Sequence, residues 1–335
     1  MGSEKSEADI KTGRTSVAID NGGSKAFALR FDGSFRPVKS FKTGSLRFNT
    51  NSQKVIDERV DGMIEGLGFK KGDEIESLCG IFPPQIADKF KKTLRVGDVS
   101  LYGEFKTSLA AGGVFGDGIL AICGTGVSIF AQIKGKGYSI GGYGSLISDE
   151  GSGYYIARQA FNAAIHDYEG RGPKTALTEI ISERYGGSRE ADFRDAVFCI
   201  YKKEKDSLVT EIASLTPLVV KAAEEDAVAA GILEDAGRLI GEQLLSLVKK
   251  YSLPDGLPVV ISGSVWKNNR ILFDAFKKTV DGGSHGFEIV VPEYLPVIGA
   301  VMLKMAEKNG GDVPSLSEED REILEKYYRE YTFSV

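Results

Sequence analysis

Two short segments of this chain share one arrangement of residues suited to holding phosphate. Val17-Ala18-Ile19 runs into Asp20 and then Asn21-Gly22-Gly23-Ser24-Lys25. Ile119 to Cys123 runs into Gly124-Thr125-Gly126-Val127-Ser128. A turn without Cβ atoms lets backbone N–H groups converge on an anion at close range. Two such turns facing each other across a cleft could hold a polyphosphate. Ser24, Lys25, Thr125 and Ser128 could add hydroxyl or ammonium donors. Asp20, at the end of its strand, could hold Mg²⁺ through water, because that ion keeps part of its hydration shell. Either segment alone reads as an ordinary glycine hairpin. The pair favours phosphate.

A third segment, Gly141 to Tyr155, is glycine-rich and carries the neighbouring carboxylates Asp149 and Glu150. Either could simply cap the helix that follows. Asp149, behind a glycine-rich loop, also suits recognition of sugar hydroxyls. Gly263-Ser264 is a strand-to-helix turn, which alone signals only a turn. No GxxxxGK[ST] and no GxGxxG occurs, so neither a P-loop nor a dinucleotide fingerprint is supported.

The chain has 335 residues, which suggests two domains at roughly 150 residues each. With 42% hydrophobic residues it can bury a core without a disulfide or metal staple. A formal charge of −5, with basic residues dispersed, argues against a nucleic-acid partner recognised through a broad cationic face. Three scattered cysteines without a CxxC point to reduced thiols and a cytoplasmic location. Two histidines make a zinc site a poor expectation. No apolar run approaches the roughly 18 residues of a membrane span, so no membrane partner is expected. Residues 1–13 are polar and expected to be flexible.

The elements that must position these residues follow from the apolar pattern. Strands are expected at 17–20, 26–31, 38–42, 77–82, 99–102, 119–123, 129–134, 258–262 and 287–291. Helices are expected at about 53–67, 84–94 and 105–111, then at about 152–167, 173–185, 189–201, 207–230 and 231–250. Further helices should start near Trp266 and at Pro296, the latter ending near Lys308. Ser317 should cap a charged last helix, with Glu319 at its third position. The strand–turn–strand device at 17–31 recurs at 119–134, as one hairpin used twice.

The ordered set Asp20–Lys25, Gly124–Ser128, GGYGSLISDEGSGYYIARQA, Val260–Lys267 and Pro296–Ala300 resembles the N-acetylglucosamine kinase group within the BadF/BadG-type ATPases. That group is part of the wider sugar kinase, Hsp70 and actin superfamily. The resemblance covers about 15–306. It implies an α/β fold of two ribonuclease-H-like domains with a cleft between them. The expected boundaries are 14–116 for the first domain and 117–311 for the second. The second would carry a helical insertion, and 312–335 would pack back on the first.

The resemblance also implies function and site residues. ATP and Mg²⁺ would be the cofactors, and the partner would be a small-molecule amino sugar phosphorylated at its 6-hydroxyl. The turns Asn21–Lys25 and Gly124–Ser128 resemble the two phosphate motifs, and Gly263 with Ser264 the adenosine motif. Asn49, Gly142, Tyr143 and Asp149 match sugar positions, with Tyr143 where the family has Trp. Relatives commonly form a homodimer through the helical insertion. Glu104 falls where the family has its catalytic Asp, so it is the candidate base. Asp98 is the weaker substitute, because it should precede its strand. The departure at Glu104 leaves open an ATP-binding regulator without sugar turnover. An iron–sulfur activator branch would instead need cysteines poised at a subunit interface, whereas Cys79 and Cys123 fall in expected buried strands.

Overall fold

The computed structural model describes residues 14–23, 25–49, 51–187, 192–202, 208–310 and 314–335. The expectations for 1–13 and for Ser24 lie outside the described residues. The chain divides into two compact units, Met1–Gly116 with Pro292–Phe333, and Asp117–Val291 with the last two residues.

In chain order the first unit opens with β1 (Thr15–Asn21), β2 (Lys25–Asp32), β3 (Pro37–Gly44) and helix α1 (Gln53–Gly66). It continues with β4 (Glu74–Ile81), α2 (Pro84–Thr93), β5 (Arg95–Leu101) and α3 (Glu104–Ala111). The second unit holds β6 (Gly118–Cys123), β7 (Val127–Ile133), β8 (Lys136–Gly141) and the helices α4 (Gly153–Tyr168), α5 (Leu177–Gly186) and α6 (Phe193–Ile200). Then come α7 (Leu208–Ala213), α8 (Thr216–Ala222), α9 (Ala227–Tyr251), β9 (Pro258–Ser262), α10 (Arg270–Gly282) and β10 (Glu288–Val290). The chain returns to the first unit with α11 (Pro296–Asn309) and α12 (Glu318–Tyr327).

The two sheets have one topology. The first is ordered β3-β2-β1-β4-β5 and the second, read from the other edge, β8-β7-β6-β9-β10. In each, the first three strands form an antiparallel meander and the last two add in parallel. The glycine turns therefore occupy equivalent places, at the β1–β2 and β6–β7 bends.

Side-chain alternation along β1 sends Val17 and Ile19 to one face and Ala18 to the other. The first pair packs with Ile56, Val60 and Met63 of α1 and with Ile86 and Phe90 of α2. Ala18 packs with Val297, Ile298 and Val301 of α11 and Tyr328 beyond α12. Helices thus cover both faces, which fixes the central strand that ends in Asp20.

Several expectations shift. The segment Pro296–Asn309 was expected in the second domain and belongs to the first unit, against β1 and α3. The two helices expected over 207–250 are three. Pro217 stands in the first turn of α8, where its missing N–H costs nothing, but it could not continue a helix from α7. Asp226 then caps α9, accepting from the amides of Val228 and Ala229. Trp266 lies in a short 3₁₀ turn, fully buried edge-on to Phe276; α10 starts later, with Asn269 as its cap. At α12 the third helical residue is Asp320, not Glu319, and Asp320 closes the capping box with Ser317.

Candidate functional site

In the first unit β1 delivers Asp20, half-buried, to the bend. The Gly22 amide donates to the Lys25 carbonyl at 2.9 Å and closes the turn. Gly23 and Lys25 are exposed. The side chain of Asn21, a residue expected at the nucleotide, turns inward. It is buried, and its side-chain oxygen accepts from the Leu46 amide at 2.8 Å. Ser45 Oγ donates to the Gly22 carbonyl at 2.9 Å. The first glycine turn is thereby stitched to the loop that carries Asn49, which is exposed.

That loop is braced from beneath. Asn51 Nδ2 donates to the carbonyls of Ser45 and Arg47, at 3.2 and 3.0 Å. Arg59 Nη1 donates to the Ser45 carbonyl at 2.5 Å and to Asn51 Oδ1 at 2.7 Å. The bracing presents Arg47, a residue the sequence reading passed over. Its Nη1 lies 4.0 Å from where a Cβ on Gly23 would stand.

Glu104 is the first residue of α3, following Gly103, which offers no capping side chain. The residue keeps exposed surface, but loss of water to the protein surrounding its carboxyl raises that group above the ordinary value. The positive charge of Arg47 acts in the opposite sense. Asp98 is no rival base: it sits inside β5 rather than before it, bonded by Lys304 Nζ at 2.8 Å and Ser100 Oγ at 2.7 Å. Those bonds hold its carboxyl below the usual range.

In the second unit the Gly124 amide donates to the Gly126 carbonyl at 2.9 Å. The start of α4 supports this turn: the amides of Gly153 and Tyr154 donate to the carbonyls of Gly124 and Thr125, at 2.8 and 3.2 Å. Buried Ser152 caps α4 through the Tyr155 amide. Thr125 is exposed and Ser128 half-buried. Gly142 follows β8, its amide donating to the Val127 carbonyl at 3.0 Å. Tyr143 stands 72% exposed, so its ring is available for stacking.

Asp149 is the unusual member. It is 5% exposed and adopts φ 60°, so the fold holds it tightly. One oxygen meets Ser145 Oγ at 3.4 Å and would lie 2.5 Å from a Cβ on Gly126. The other, Oδ1, is buried with no hydrogen-bond partner among the described residues. A buried carboxylate oxygen without a donor is costly, and such oxygens call for a donor from elsewhere. Ser145 Oγ also donates to the Thr125 carbonyl at 3.4 Å, so turn and carboxylate form one cluster.

Gly263 has a structural reason for its identity. It adopts φ 107°, and any Cβ there would collide with the Cys123 carbonyl at the end of β6. Ser264 beside it is exposed. Cys79 and Cys123 are fully buried in β4 and β6, and burial pushes the Cys79 thiol up to about 12. Neither is placed to hold a cluster at a surface.

Among the described residues no group of three or more His, Cys, Asp or Glu is placed to hold a metal ion. Asp20 alone offers a single carboxylate. That donor set fits Mg²⁺, which completes its shell with water and phosphate oxygens.

The BadF/BadG/BcrA/BcrD ATPase family model matches residues 17–304. The chain belongs to this family. The N-acetylmuramic acid/N-acetylglucosamine kinase of Clostridium acetobutylicum is 28% identical over 308 residues, covering 87% of this chain and 98% of that one. A crystal structure from Chromobacterium violaceum, assigned as an N-acetylglucosamine kinase, superposes with a TM-score of 0.61 at 22% identity, covering 86% of this chain and 98% of that one. A ROK family glucokinase from Streptomyces griseus, solved with glucose and AMPPNP, gives 0.55 at 16% identity, covering 86% and 97%. The fold is thus the two-domain, actin-like ATPase fold, and the duplicated sheet is its signature here.

Proposed function

We propose that this BadF-family protein is an ATP-dependent kinase that phosphorylates an amino sugar, N-acetylglucosamine or glucosamine, at the 6-hydroxyl. The observation that carries the reading is the doubled hairpin. The same five-stranded sheet is built twice, and each copy bends through an open glycine turn at the same topological place. The full-length likeness to the clostridial kinase supports the substrate class.

Phosphoryl transfer asks the protein for positioning and charge stabilisation more than for covalent chemistry. Backbone amides of Asn21–Lys25 and Gly124–Ser128, with Thr125, Ser128 and Lys25, hold phosphate oxygens. Asp20 holds Mg²⁺ through water; when bound, the ion neutralises phosphate charge. Gly263 and Ser264 leave bare backbone for the nucleoside. Asn49, Gly142 and Tyr143 orient the sugar, and Asp149 Oδ1 accepts from one of its hydroxyls. Glu104 takes the proton from the 6-hydroxyl, its raised carboxyl value making it a stronger base than an ordinary Glu.

We place the enzyme in the cytoplasm, where three free cysteines suit a reducing milieu, and expect a homodimer. No helix among the described residues is long and apolar enough to cross a membrane. A coupled ADP-release screen over hexoses and hexosamines with Mg-ATP tests the activity. Release stimulated by amino sugars supports it. Tight ATP binding with no stimulated release by any of them would favour a regulator, the reading that Glu104 in place of Asp keeps open.

A further inference from the structure

Arg47 occupies a position that the roles above leave unused. Its guanidinium neighbours one candidate site element of its unit and acts by charge on a second. Nη1 lies 4.0 Å from the Cβ position of Gly23, at the tip of the first phosphate turn. Its charge also acts on the Glu104 carboxylate. One cation therefore stands beside the first glycine turn, and its charge is felt at the candidate base.

The backbone beneath Arg47 is fixed. Its carbonyl accepts from Asn51 Nδ2, its amide donates to Ser45 Oγ at 3.3 Å, and Ser45 in turn bonds the Gly22 carbonyl. These bonds set the backbone from which the exposed Arg47 side chain extends toward the first turn, and a donor already near the developing charge needs less reorganisation. In phosphoryl transfer the moving group passes from the phosphate side to the hydroxyl beside the base, with negative charge spread over its equatorial oxygens. A planar guanidinium matches two such oxygens at once, which an ammonium does not.

Resting on the amino sugar kinase reading, we propose that Arg47 is a catalytic residue that contacts the transferred phosphoryl group and neutralises its charge in the transition state. The γ-phosphorus–oxygen bond to ADP breaks and a bond to the sugar 6-oxygen forms. The hydroxyl proton goes to Glu104, ADP leaves, and Arg47 keeps its protons throughout.

The test is steady-state kinetics of Arg47→Met, Arg47→Lys and Arg47→Ala with N-acetylglucosamine and Mg-ATP, alongside thermal melts. Loss of a preorganised donor of this kind costs about 10²–10³-fold in kcat. We expect Arg47→Met to lose about 10²-fold in kcat with both KM values within a few-fold, and Arg47→Lys to fall between it and wild type. Guanidinium ion added to Arg47→Ala should restore part of kcat without changing the melt. A kcat for Arg47→Met within threefold of wild type overturns the proposal. So does a defect confined to the KM of carboxylated amino sugars, which would make Arg47 a reader of acidic acceptors. A melt lowered in every variant, with no rescue by guanidinium, overturns it in favour of a structural role. Failure of the wild-type enzyme to release ADP with any amino sugar would be a different result: it removes the kinase reading itself, and this proposal with it.

Discussion

Gly126→Ala tests whether the second turn and Asp149 act as one machine. The new Cβ would stand 2.5 Å from Asp149 Oδ2. An unstrained carbon–oxygen contact is about 3.3 Å or longer, so about 0.8 Å of movement is required. Asp149 has little room to give it, being 5% exposed and held at φ 60°. The turn must move instead, or the carboxylate must leave its Ser145 hydrogen bond. Misplacement near 1 Å at a reacting site costs about 10²-fold in rate. We therefore expect kcat/KM to fall about 10²-fold, while stability falls by about 1–3 kcal/mol, the usual range for overpacking. Coupled ADP release and urea denaturation measure the two. Gly137→Ala on β8, where nothing lies within 4 Å of the new carbon, serves as the control. Full activity in Gly126→Ala would refute the idea that this contact shapes the site.

Three further predictions follow from single contacts. Glu104→Gln should abolish sugar-dependent ADP release while ATP affinity, measured by calorimetry, stays within a few-fold. Because the folded protein raises the Glu104 carboxyl, its contribution to stability is fully present below the ordinary value and fades as pH rises through the raised one. Glu104→Gln should therefore melt no lower than wild type at pH 7, and wild-type kcat/KM should fall on the acid side at a pH above that of an ordinary Glu. Asn21→Ala leaves the buried Leu46 amide without its acceptor, a loss of about 1–3 kcal/mol by urea denaturation. It should also raise the sugar KM by loosening the loop. Gly231→Ala, inside α9 with open space around the new carbon, should stabilise by about 1 kcal/mol in the same assay.

The hairpin pair was legible because it depends on local chemistry: an apolar run, a carboxylate or small residue, then glycines. The cap at Ser317 was legible for the same reason. β8 was not, because its KGYSIG segment is buried nowhere, carries two glycines and offers only Tyr138 and Ile140 as an apolar alternation. The break between α8 and α9 turned on Asp226. Its carboxylate also accepts from Thr175 Oγ1 at 2.6 Å and from the Ala176 amide at 2.7 Å, partners far away in sequence. The expected break between 230 and 231 is absent, and Gly231 lies inside α9. Asn21 was expected at the nucleotide, and its inward turn toward Leu46 has no local signal. Arg47 escaped notice for a similar reason. A lone Arg in a polar loop is ordinary until the bonds to Asn51, Arg59 and Gly22 show that the loop is held beside the first glycine turn. The assignment of α11 to the first unit rests on packing across the whole chain length, which periodicity along one helix does not reveal.

The most direct measurement is phosphorus–proton correlation NMR on the product of wild-type enzyme, Mg-ATP and N-acetylglucosamine. The account predicts one new phosphomonoester whose phosphorus couples to the two C6 protons of the sugar, formed in step with ADP. A phosphorus coupled to the anomeric proton, or ATP consumed to inorganic phosphate with the sugar untouched, would contradict it.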